Sequence, residues 1–226
     1  MAERPFQWGI LSAANIARKR FVPGIQSGTE GQAAAVAARD GDRAREFAAE
    51  LGIPRAYGSY EELLADPEID GVYIGLPNSL HTEWTIRAAQ AGKHVLCEKP
   101  LSKRAADVER MAAACEQAGV LLMEAFMWRH HPQHARVKEL LAAGAVGEPT
   151  FVRASHAFAM DAERRGKPDV RVQPRLDGGS LMDIGCYPLN AARFLFDDEP
   201  TEVTALQRFD TSLGVDTSLA MLLRFS

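Results

Sequence analysis

The sequence predicts an α/β fold, in which an open, doubly wound parallel sheet is followed by a smaller α+β domain with an antiparallel sheet. Two observations carry this prediction. Up to about residue 125, short apolar runs alternate with helical patterns, and strands joined by helical crossovers pair in parallel. Beyond that point, two strand patterns flank a single turn, which is typical of antiparallel pairing. We therefore expect one domain over 1–125 and a second over 126–226.

The elements of the first half follow from its apolar runs and from the residues at their boundaries. Strands buried in a parallel sheet are predicted at 6–11, 32–38, 70–76, 93–97 and 120–125. Helices are predicted between them at 15–26 and 82–91, from 42 to 52, from 59 onward and from 102 to 119. Pro23 should end or kink the first helix. Asp42, Ser59 and Ser102 are predicted as N-caps, because their short polar side chains can accept hydrogen bonds from the first helical N–H groups.

The second half is predicted to combine helices with an antiparallel pair of strands. A helix with proline at its first position runs from 132 to 143. Residues 150–159 alternate like a strand, and the polar segment 161–177 is expected to form a loop. A helix-like stretch follows Gly178-Gly179-Ser180 up to about 196. The last two strands are predicted at 202–209 and 217–225, around a turn near Leu213-Gly214.

The composition excludes several classes of protein. At roughly 150 residues per domain, 226 residues hold about one and a half domains, and 46% hydrophobic with 25% charged residues is ordinary for a globular protein. A net charge of −4 argues against a general nucleic-acid binder. No apolar run approaches a membrane span, and the N-terminus lacks the apolar stretch of a signal peptide. Three cysteines without tight spacing argue against a disulfide scaffold. We expect a soluble, cytoplasmic protein that binds neither nucleic acid nor membranes.

The turn after the first strand is the first candidate for a cofactor site. A dinucleotide-binding turn needs small residues so that backbone N–H groups can approach a pyrophosphate at the helix N-terminus. The three positions that usually hold glycine are occupied by Ser12, Ala14 and Ala17, all small. A tight strand-to-helix turn without a ligand is the alternative. The candidate cofactor residues in this turn are Ser12, Ala13, Ala14, Asn15 and Ile16.

The end of the second strand bears on the choice between NADP and NAD. Ala38 takes the position where an NAD site carries an acid for the ribose 2′-hydroxyl, and Arg39 follows it. An arginine there accommodates a 2′-phosphate, so the sequence predicts NADP. Asp40 leaves NAD open, since a register shifted by two residues would restore an acid.

Two blocks of sequence then point to a family. Residues 74–101 contain the runs P-N-x-x-H, A-G-K-H-V and E-K-P, and 178–190 read G-G-S-L-M-D-I-G-C-Y-P-L-N. In this order and spacing they resemble the glucose–fructose oxidoreductase, inositol dehydrogenase and rhizopine-catabolism (Gfo/Idh/MocA) family. The segment 124–129 and the second block are similar to a subgroup with NADP-dependent aldose and dihydrodiol dehydrogenases.

The resemblance implies a Rossmann domain, a second domain whose open sheet often mediates homo-oligomer formation, and a catalytic lysine at Lys99, often followed by a cis proline. It also implies Tyr187 as the acid/base, in a position that the family fills with His or Tyr. A nearby lysine cation lowers the pKa of a tyrosine hydroxyl, which suits alcohol oxidation and the reverse reduction. Asp183 lies four residues before Tyr187 and is predicted to bind substrate or to hold Lys99.

The remaining candidate residues follow the third and fourth strands and the domain junction. Further predicted cofactor residues are Leu76, Pro77, Asn78, His81, Glu98 and Lys99. His81 could equally face water at a helix N-terminus. Trp128 and Arg129, together with Asp183 and Tyr187, are predicted to contact the substrate, although an aromatic side chain at a domain junction more often serves packing.

Two further features are interpreted as structural. His130, His131 and His134 are not expected to bind a metal, because Pro132 begins a helix between them and no H-E-x-x-H pattern occurs. Cys97 is expected to be a buried structural thiol, because nothing near it in sequence marks a nucleophile.

These observations predict an NADP-dependent oxidoreductase that acts on a sugar, another polyol or a cyclic diol. A non-catalytic NADP-binding regulator and an inactive fragment of such an enzyme are the alternatives. Family members are longer than this chain, so we expect the second domain to be incomplete in it, with an unpaired sheet edge that favours association.

Overall fold

The computed structural model describes residues 4–160 and 169–226. It divides the chain into two compact units, Met1–Ala125 and Phe126–Ser226. The first three residues and residues 161–168 of the predicted loop lie outside the described residues.

The first unit is built on a six-stranded parallel sheet with the strand order β3-β2-β1-β4-β5-β6. Its strands are β1 Phe6–Leu11, β2 Gly31–Ala37, β3 Arg55–Tyr57, β4 Gly71–Ile74, β5 His94–Cys97 and β6 Leu122–Glu124. Its α-helices are α1 Val22–Gln26, α2 Gly41–Leu51, α3 Tyr60–Leu64, α4 His81–Gln90 and α5 Ala105–Ala118. The strand order reverses between β1 and β4, which is the switch point at which such sheets bind ligands. The predicted parallel sheet is confirmed.

The register of the sheet aligns the carboxyl ends of its central strands. Leu11 pairs with both Ala37 and Ile74, and Ile74 pairs with Cys97. The residues that follow β1, β2, β4 and β5 therefore start from one edge of the sheet. β3 was not predicted, because its three residues, at the sheet edge and only partly buried, form no apolar run.

The sheet separates two hydrophobic clusters, because successive side chains of each strand point to opposite faces and both faces are covered. Leu11 and Ile74 belong to the cluster that contains residues of α3 and α4. Ile10 and Tyr73 belong to the other, with residues of α2. The apolar runs of β1 and β4 thus serve both faces, which is why they lack the alternation of a half-exposed strand.

The first helical segment differs from a regular helix before its proline. Residues 15–26 are helical throughout, but Ala17–Phe21 form a π-helical turn in which the N–H of Val22 donates to the carbonyl of Ala17. Pro23 lies in the first turn of α1 and does not end the helix. The irregularity precedes the proline, and it is a single π turn within a helix, the form in which π-helix mostly occurs.

Two of the predicted N-caps are corrected. Asp40, not Asp42, caps α2: its backbone is extended, and its side chain accepts hydrogen bonds from the N–H groups of Asp42 and Arg43. Ser102 accepts a hydrogen bond from the N–H of Arg104, and α5 begins after Arg104 rather than after the serine. An N-cap needs non-helical backbone angles, which the sequence pattern alone does not specify. The cap of α3 by Ser59 is confirmed.

The second unit contains helices and an antiparallel hairpin. Its elements are α6 Pro132–Ala142, a π-helical turn Leu181–Gly185 that leads into α7 Cys186–Phe196, and the paired strands β7 Glu202–Asp210 and β8 Val215–Arg224. The predicted antiparallel pair is confirmed. The strand predicted at 150–159 is wrong, because these residues pair with no other strand. An alternating pattern indicates that a segment has two different faces, but it does not supply a strand to pair with. No described helix is long and apolar enough to cross a membrane.

Candidate active site

Ser12 joins the turn after β1 to two neighbouring strand ends. Its N–H donates to the carbonyl of Ala37 at 3.0 Å, and its hydroxyl donates to the carbonyl of Gly75 at 2.9 Å. Its φ of 108° lies in a region that L residues rarely adopt. This explains why a glycine usually stands here, and the two hydrogen bonds help to offset backbone strain of order 1–3 kcal/mol.

The rest of the turn leads into a helix N-terminus. Ala13 is buried, and its carbonyl accepts a hydrogen bond from the Arg43 guanidinium at 3.2 Å. Ala14 is half-buried, and Asn15 and Ile16 open the helix, with Asn15 exposed. The first turn of a helix carries N–H groups without intrahelical acceptors, which is the arrangement that binds phosphate.

Two guanidinium groups, one just after β2 and one in the first turn of α2, act on one hydroxyl. Arg39 and Arg43 are exposed, and the charges of both act on the hydroxyl of Tyr60. Burial raises the pKa of Tyr60, and the two arginines oppose that rise. Asp40 directs its carboxylate to the N-terminus of α2, where it serves as the cap. Asp40, the residue that left NAD as an alternative cofactor, therefore uses its carboxylate to cap α2.

The residues after β4 form a short turn before α4. Leu76 is buried, Pro77 is extended, and Asn78 begins a 3₁₀ turn that ends at Leu80. His81 is fully buried, so its side chain does not face water.

The ring of His81 bridges two loops. Its Nδ1 lies 2.8 Å from the carbonyl oxygen of Pro100 and its Nε2 lies 2.9 Å from that of Leu76. These two contacts occupy both ring nitrogens and leave neither for a cofactor. His81 was predicted as a cofactor residue; in the structure, the partners of its ring are backbone groups of the protein.

The residues after β5 are held by two side chains that the sequence analysis missed. Glu98 is half-buried and accepts a hydrogen bond from the Tyr73 hydroxyl at 2.6 Å. The Glu124 carboxylate accepts one from the N–H of Leu101 at 2.9 Å. Lys99, which lies between Glu98 and Leu101 in the sequence, is half-buried and is followed by a cis peptide bond to Pro100. Glu124, a polar residue ending a strand, gave a usable signal; Tyr73 lies within an apolar run and gave none.

In the second unit, aromatic rings surround Tyr187. Its ring meets Phe126 edge-to-face at 5.5 Å and His156 at 5.2 Å between centroids. Its hydroxyl lies 3.8 Å from the sulfur of Met127, a weak acceptor. These contacts orient the ring of Tyr187 within this unit.

Asp183 lies in the π-helical turn and pairs with a residue from the preceding loop. Its carboxylate is 3.4 Å from Nε of Arg171. The wider π turn shifts Asp183 from the face that it would share with Tyr187 in a regular helix. Arg171 was missed, because it lies in a polar segment interpreted only as a loop.

The two glycines before this turn are required by close approach of other groups. A Cβ at Gly178 would lie 2.5 Å from the carbonyl oxygen of Arg171. Gly179 has a φ of 121°, and a Cβ there would lie 2.2 Å from a carboxylate oxygen of Asp216. That carboxylate accepts hydrogen bonds from Ser180 and Leu181.

Trp128 and Arg129 lie beside an aromatic cluster. The Trp128 ring meets His134 at 4.8 Å and Phe194 at 5.2 Å, and the Arg129 guanidinium lies over Phe194 at 5.2 Å. Trp128 therefore packs within its own unit. Contact of either residue with a substrate stays a prediction.

The histidine cluster and Cys97 have structural surroundings. Nδ1 of His131 accepts a hydrogen bond from the N–H of Gln133 at the start of α6. Within 4–160 and 169–226, no three His, Cys, Asp or Glu side chains come together as a metal site. Cys97 is fully buried, and burial raises the pKa of its thiol.

Two family models together match nearly the whole chain. The one described as "Oxidoreductase family, NAD-binding Rossmann fold" matches residues 6–126, and the one described as "GFO/IDH/MocA C-terminal domain" matches residues 134–226.

Curated relatives are similar over most of this chain. The D-xylose 1-dehydrogenase (NADP(+)) 2 of Haloferax volcanii is 47% identical over 96% of the chain and 65% of the relative. The trans-1,2-dihydrobenzene-1,2-diol dehydrogenase of Xenopus tropicalis is 37% identical over 97% of the chain and 66% of the relative. The chain thus spans about two thirds of the length of these relatives.

Solved structures have the same fold. An aldose-aldose oxidoreductase from Caulobacter crescentus, complexed with glycerol, matches with a TM-score of 0.87 and 34% identity over 98% of this chain and 68% of its own. A 3-ketoreductase mutant from Actinomadura kijaniata, in complex with TDP-benzene and NADP, matches with a TM-score of 0.84 and 34% identity over 98% and 66%. The chain belongs to the Gfo/Idh/MocA oxidoreductase family.

Proposed function

We propose that this chain carries the cofactor and catalytic residues of an NADP-dependent oxidoreductase that acts on a sugar, polyol or cyclic diol. The observation that carries the proposal is the shared sheet edge, from which the turns containing Ser12, Arg39, Asn78 and Lys99 all start. Family membership and the names of the relatives, which include an NADP-dependent xylose dehydrogenase, support it.

The residues of the first unit fit NADP. Small residues from Ser12 to Ala14 and the helix that begins at Asn15 suit a pyrophosphate. Arg39 and Arg43 offer two exposed guanidinium groups for a 2′-phosphate, while the carboxylate of Asp40 is engaged at a helix N-terminus. This donor set favours NADP over NAD, which needs an acid at the 2′-hydroxyl.

The proposed chemistry assigns one task to each catalytic residue. When bound, the cofactor accepts or donates the hydride. Tyr187 takes the proton from the substrate hydroxyl in oxidation and returns it to the developing alkoxide in reduction. Lys99 assists as a cation, since a positive charge favours the tyrosinate form and lowers the pKa of a tyrosine. Asp183, held by Arg171, is proposed to bind a substrate hydroxyl.

The substrate class rests on the chemistry of the relatives. The names of these relatives indicate activity on an aldose, a cyclic diol or a keto group. In each case the reacting carbon carries a hydroxyl group, or a keto group that is reduced to one, and neighbouring carbons carry further oxygens. We propose the same class for this chain, with Trp128 and Arg129 as candidate substrate contacts.

Two measurements test the proposal. NADPH fluorescence on titration reports cofactor binding, and turnover over a panel of aldoses and dihydrodiols reports activity. We expect Lys99→Met and Tyr187→Phe to lower kcat by about 10²- to 10⁴-fold, the usual contribution of a general acid–base residue. Lys103→Met and Tyr57→Phe are the matched controls, since neither residue is assigned to the site.

The outcomes separate the competing hypotheses. Binding without turnover on the panel would favour a non-catalytic NADP-binding protein. Wild-type kcat in both Lys99→Met and Tyr187→Phe would overturn the catalytic assignment. Absence of NADPH binding would overturn the proposal as a whole.

A further inference from the structure

The ring of His81 is fully buried between two loops that leave the sheet edge. One loop follows β4 and contributes the carbonyl of Leu76; the other follows β5 and contributes the carbonyl of Pro100. The two ring nitrogens lie 2.8 and 2.9 Å from these oxygens, both within hydrogen-bond distance. A single side chain thus connects the turn that holds Asn78 to the peptide that follows Lys99.

The chemistry of these contacts restricts what can replace the histidine. Both partners are carbonyl oxygens, which only accept hydrogen bonds, so the ring must donate. A protonated ring donates to both carbonyls, whereas a neutral ring has one N–H and donates to one. Because His81 itself follows directly on the turn after β4, donation to the Pro100 carbonyl alone already joins the two loops. A phenyl ring of similar shape fills the space but donates to neither.

The segment around Lys99 is held on both sides of that residue. On one side of Lys99, Glu98 accepts a hydrogen bond from the Tyr73 hydroxyl. On the other side, the Glu124 carboxylate accepts one from the N–H of Leu101. His81 adds a contact at Pro100 itself.

We propose that His81 is a positioning residue, which ties the loop after β4 to the loop after β5 and thereby sets the position of Lys99. The proposal rests on the proposed function in one respect, namely that Lys99 takes part in the reaction. A displacement of a reacting group by about 1 Å can cost about 10²-fold in rate. His81 therefore acts on turnover through Lys99, without touching substrate or cofactor.

The test compares His81→Phe with His81→Gln. We expect His81→Phe to lower kcat by about 10- to 100-fold while the KM for the sugar or diol changes less than about threefold, since the loop is displaced but the binding groups remain. The amide of His81→Gln can still donate to a carbonyl and should recover part of kcat. Met111→Ala is the control, because Met111 is equally buried but belongs to α5 and to neither of these loops.

A second readout does not depend on activity. Hydrogen exchange of the amides of Glu98, Lys99 and Leu101, measured without cofactor, should be faster in His81→Phe and unchanged in Met111→Ala. If the wild type shows no turnover, the proposed function fails, but exchange still tests the tie between the loops. Unchanged exchange in His81→Phe, or a kcat no lower than that of Met111→Ala, would overturn the inference.

Discussion

Asp216 on β8 accepts a hydrogen bond from the hydroxyl of Ser180 at 2.5 Å and another from the N–H of Leu181 at 2.8 Å. A strand residue thus satisfies N–H and O–H donors at the start of the helical segment that carries Tyr187. Ordinarily the capping side chain comes from the residue just before the helix. Here it comes from the other end of the unit, so the hairpin and the G-G-S block depend on each other.

We predict that Asp216→Ala lowers the free energy of unfolding of the second unit by about 1–3 kcal/mol, because partly buried donors lose their acceptor. Asp216→Asn keeps an acceptor oxygen and should lose less. Urea unfolding measures both, with Ser218→Ala, an exposed residue of β8, as the control. A loss in Asp216→Ala no larger than that of the control would contradict this prediction.

The choice of cofactor should depend on Arg39. A charge-assisted hydrogen bond contributes about 1.5–3 kcal/mol, so Arg39→Ala should weaken NADPH binding by about 10- to 100-fold and leave NADH binding nearly unchanged. Fluorescence titration with each cofactor gives both affinities. Arg45→Ala is the matched control, because Arg45 lies on α2 and pairs with Asp42. Equal losses for NADPH and NADH would argue against a 2′-phosphate contact.

The hydroxyl of Tyr73 should remain a hydrogen-bond donor to Glu98 at every accessible pH. Burial and the charge of Glu98 raise the pKa of Tyr73, so it remains a donor. Tyr73→Phe removes a hydrogen bond that contributes about 1 kcal/mol, and we expect NADPH affinity to fall about fivefold. Tyr57→Phe, which removes a hydroxyl bonded to Asp66, should not change the affinity. An unaltered Kd in Tyr73→Phe would show that Glu98 needs no such support.

The stability of the first unit should depend on pH through His81. Burial lowers the pKa of its imidazole below the ordinary value near 6.5, with Lys99 also lowering it and the two carbonyls and Glu98 opposing. The unfolded chain therefore binds the proton first as the pH falls, and stability rises with pH in that range. We expect this contribution to be complete above about pH 7 and to decline below about 6.5.

His81→Gln isolates the contribution, since the two proteins differ at this residue alone. The difference in unfolding free energy between wild type and His81→Gln, measured by urea from pH 8 to pH 5, should shrink as the pH falls. A difference that stays constant over this range would mean that the imidazole titrates alike in the folded and unfolded chain.

Much of the first unit could be predicted because its signals are local. Buried strands in a parallel sheet read as apolar runs, and glycines in the left-handed conformation end α2 and α5 at Gly52 and Gly119. The edge strand β3, the π turn before Pro23 and the cap at Asp40 could not be predicted in the same way. Each depends on neighbouring chain or on backbone angles rather than on residue type.

The sequence by itself determined the parallel sheet, the common edge at which its functional turns begin, and the two blocks that hold Lys99 and Tyr187. Periodicity and motif order suffice for these, because they follow from residues close together in the chain. Only the tertiary structure decided that His81 faces two carbonyls, that Tyr73 holds Glu98 and that Asp216 caps a distant helix. Apart from Leu76, which lies five residues before His81, these partners are 19 to 36 residues apart. A side chain's partner at that separation is chosen by packing, which no local pattern encodes.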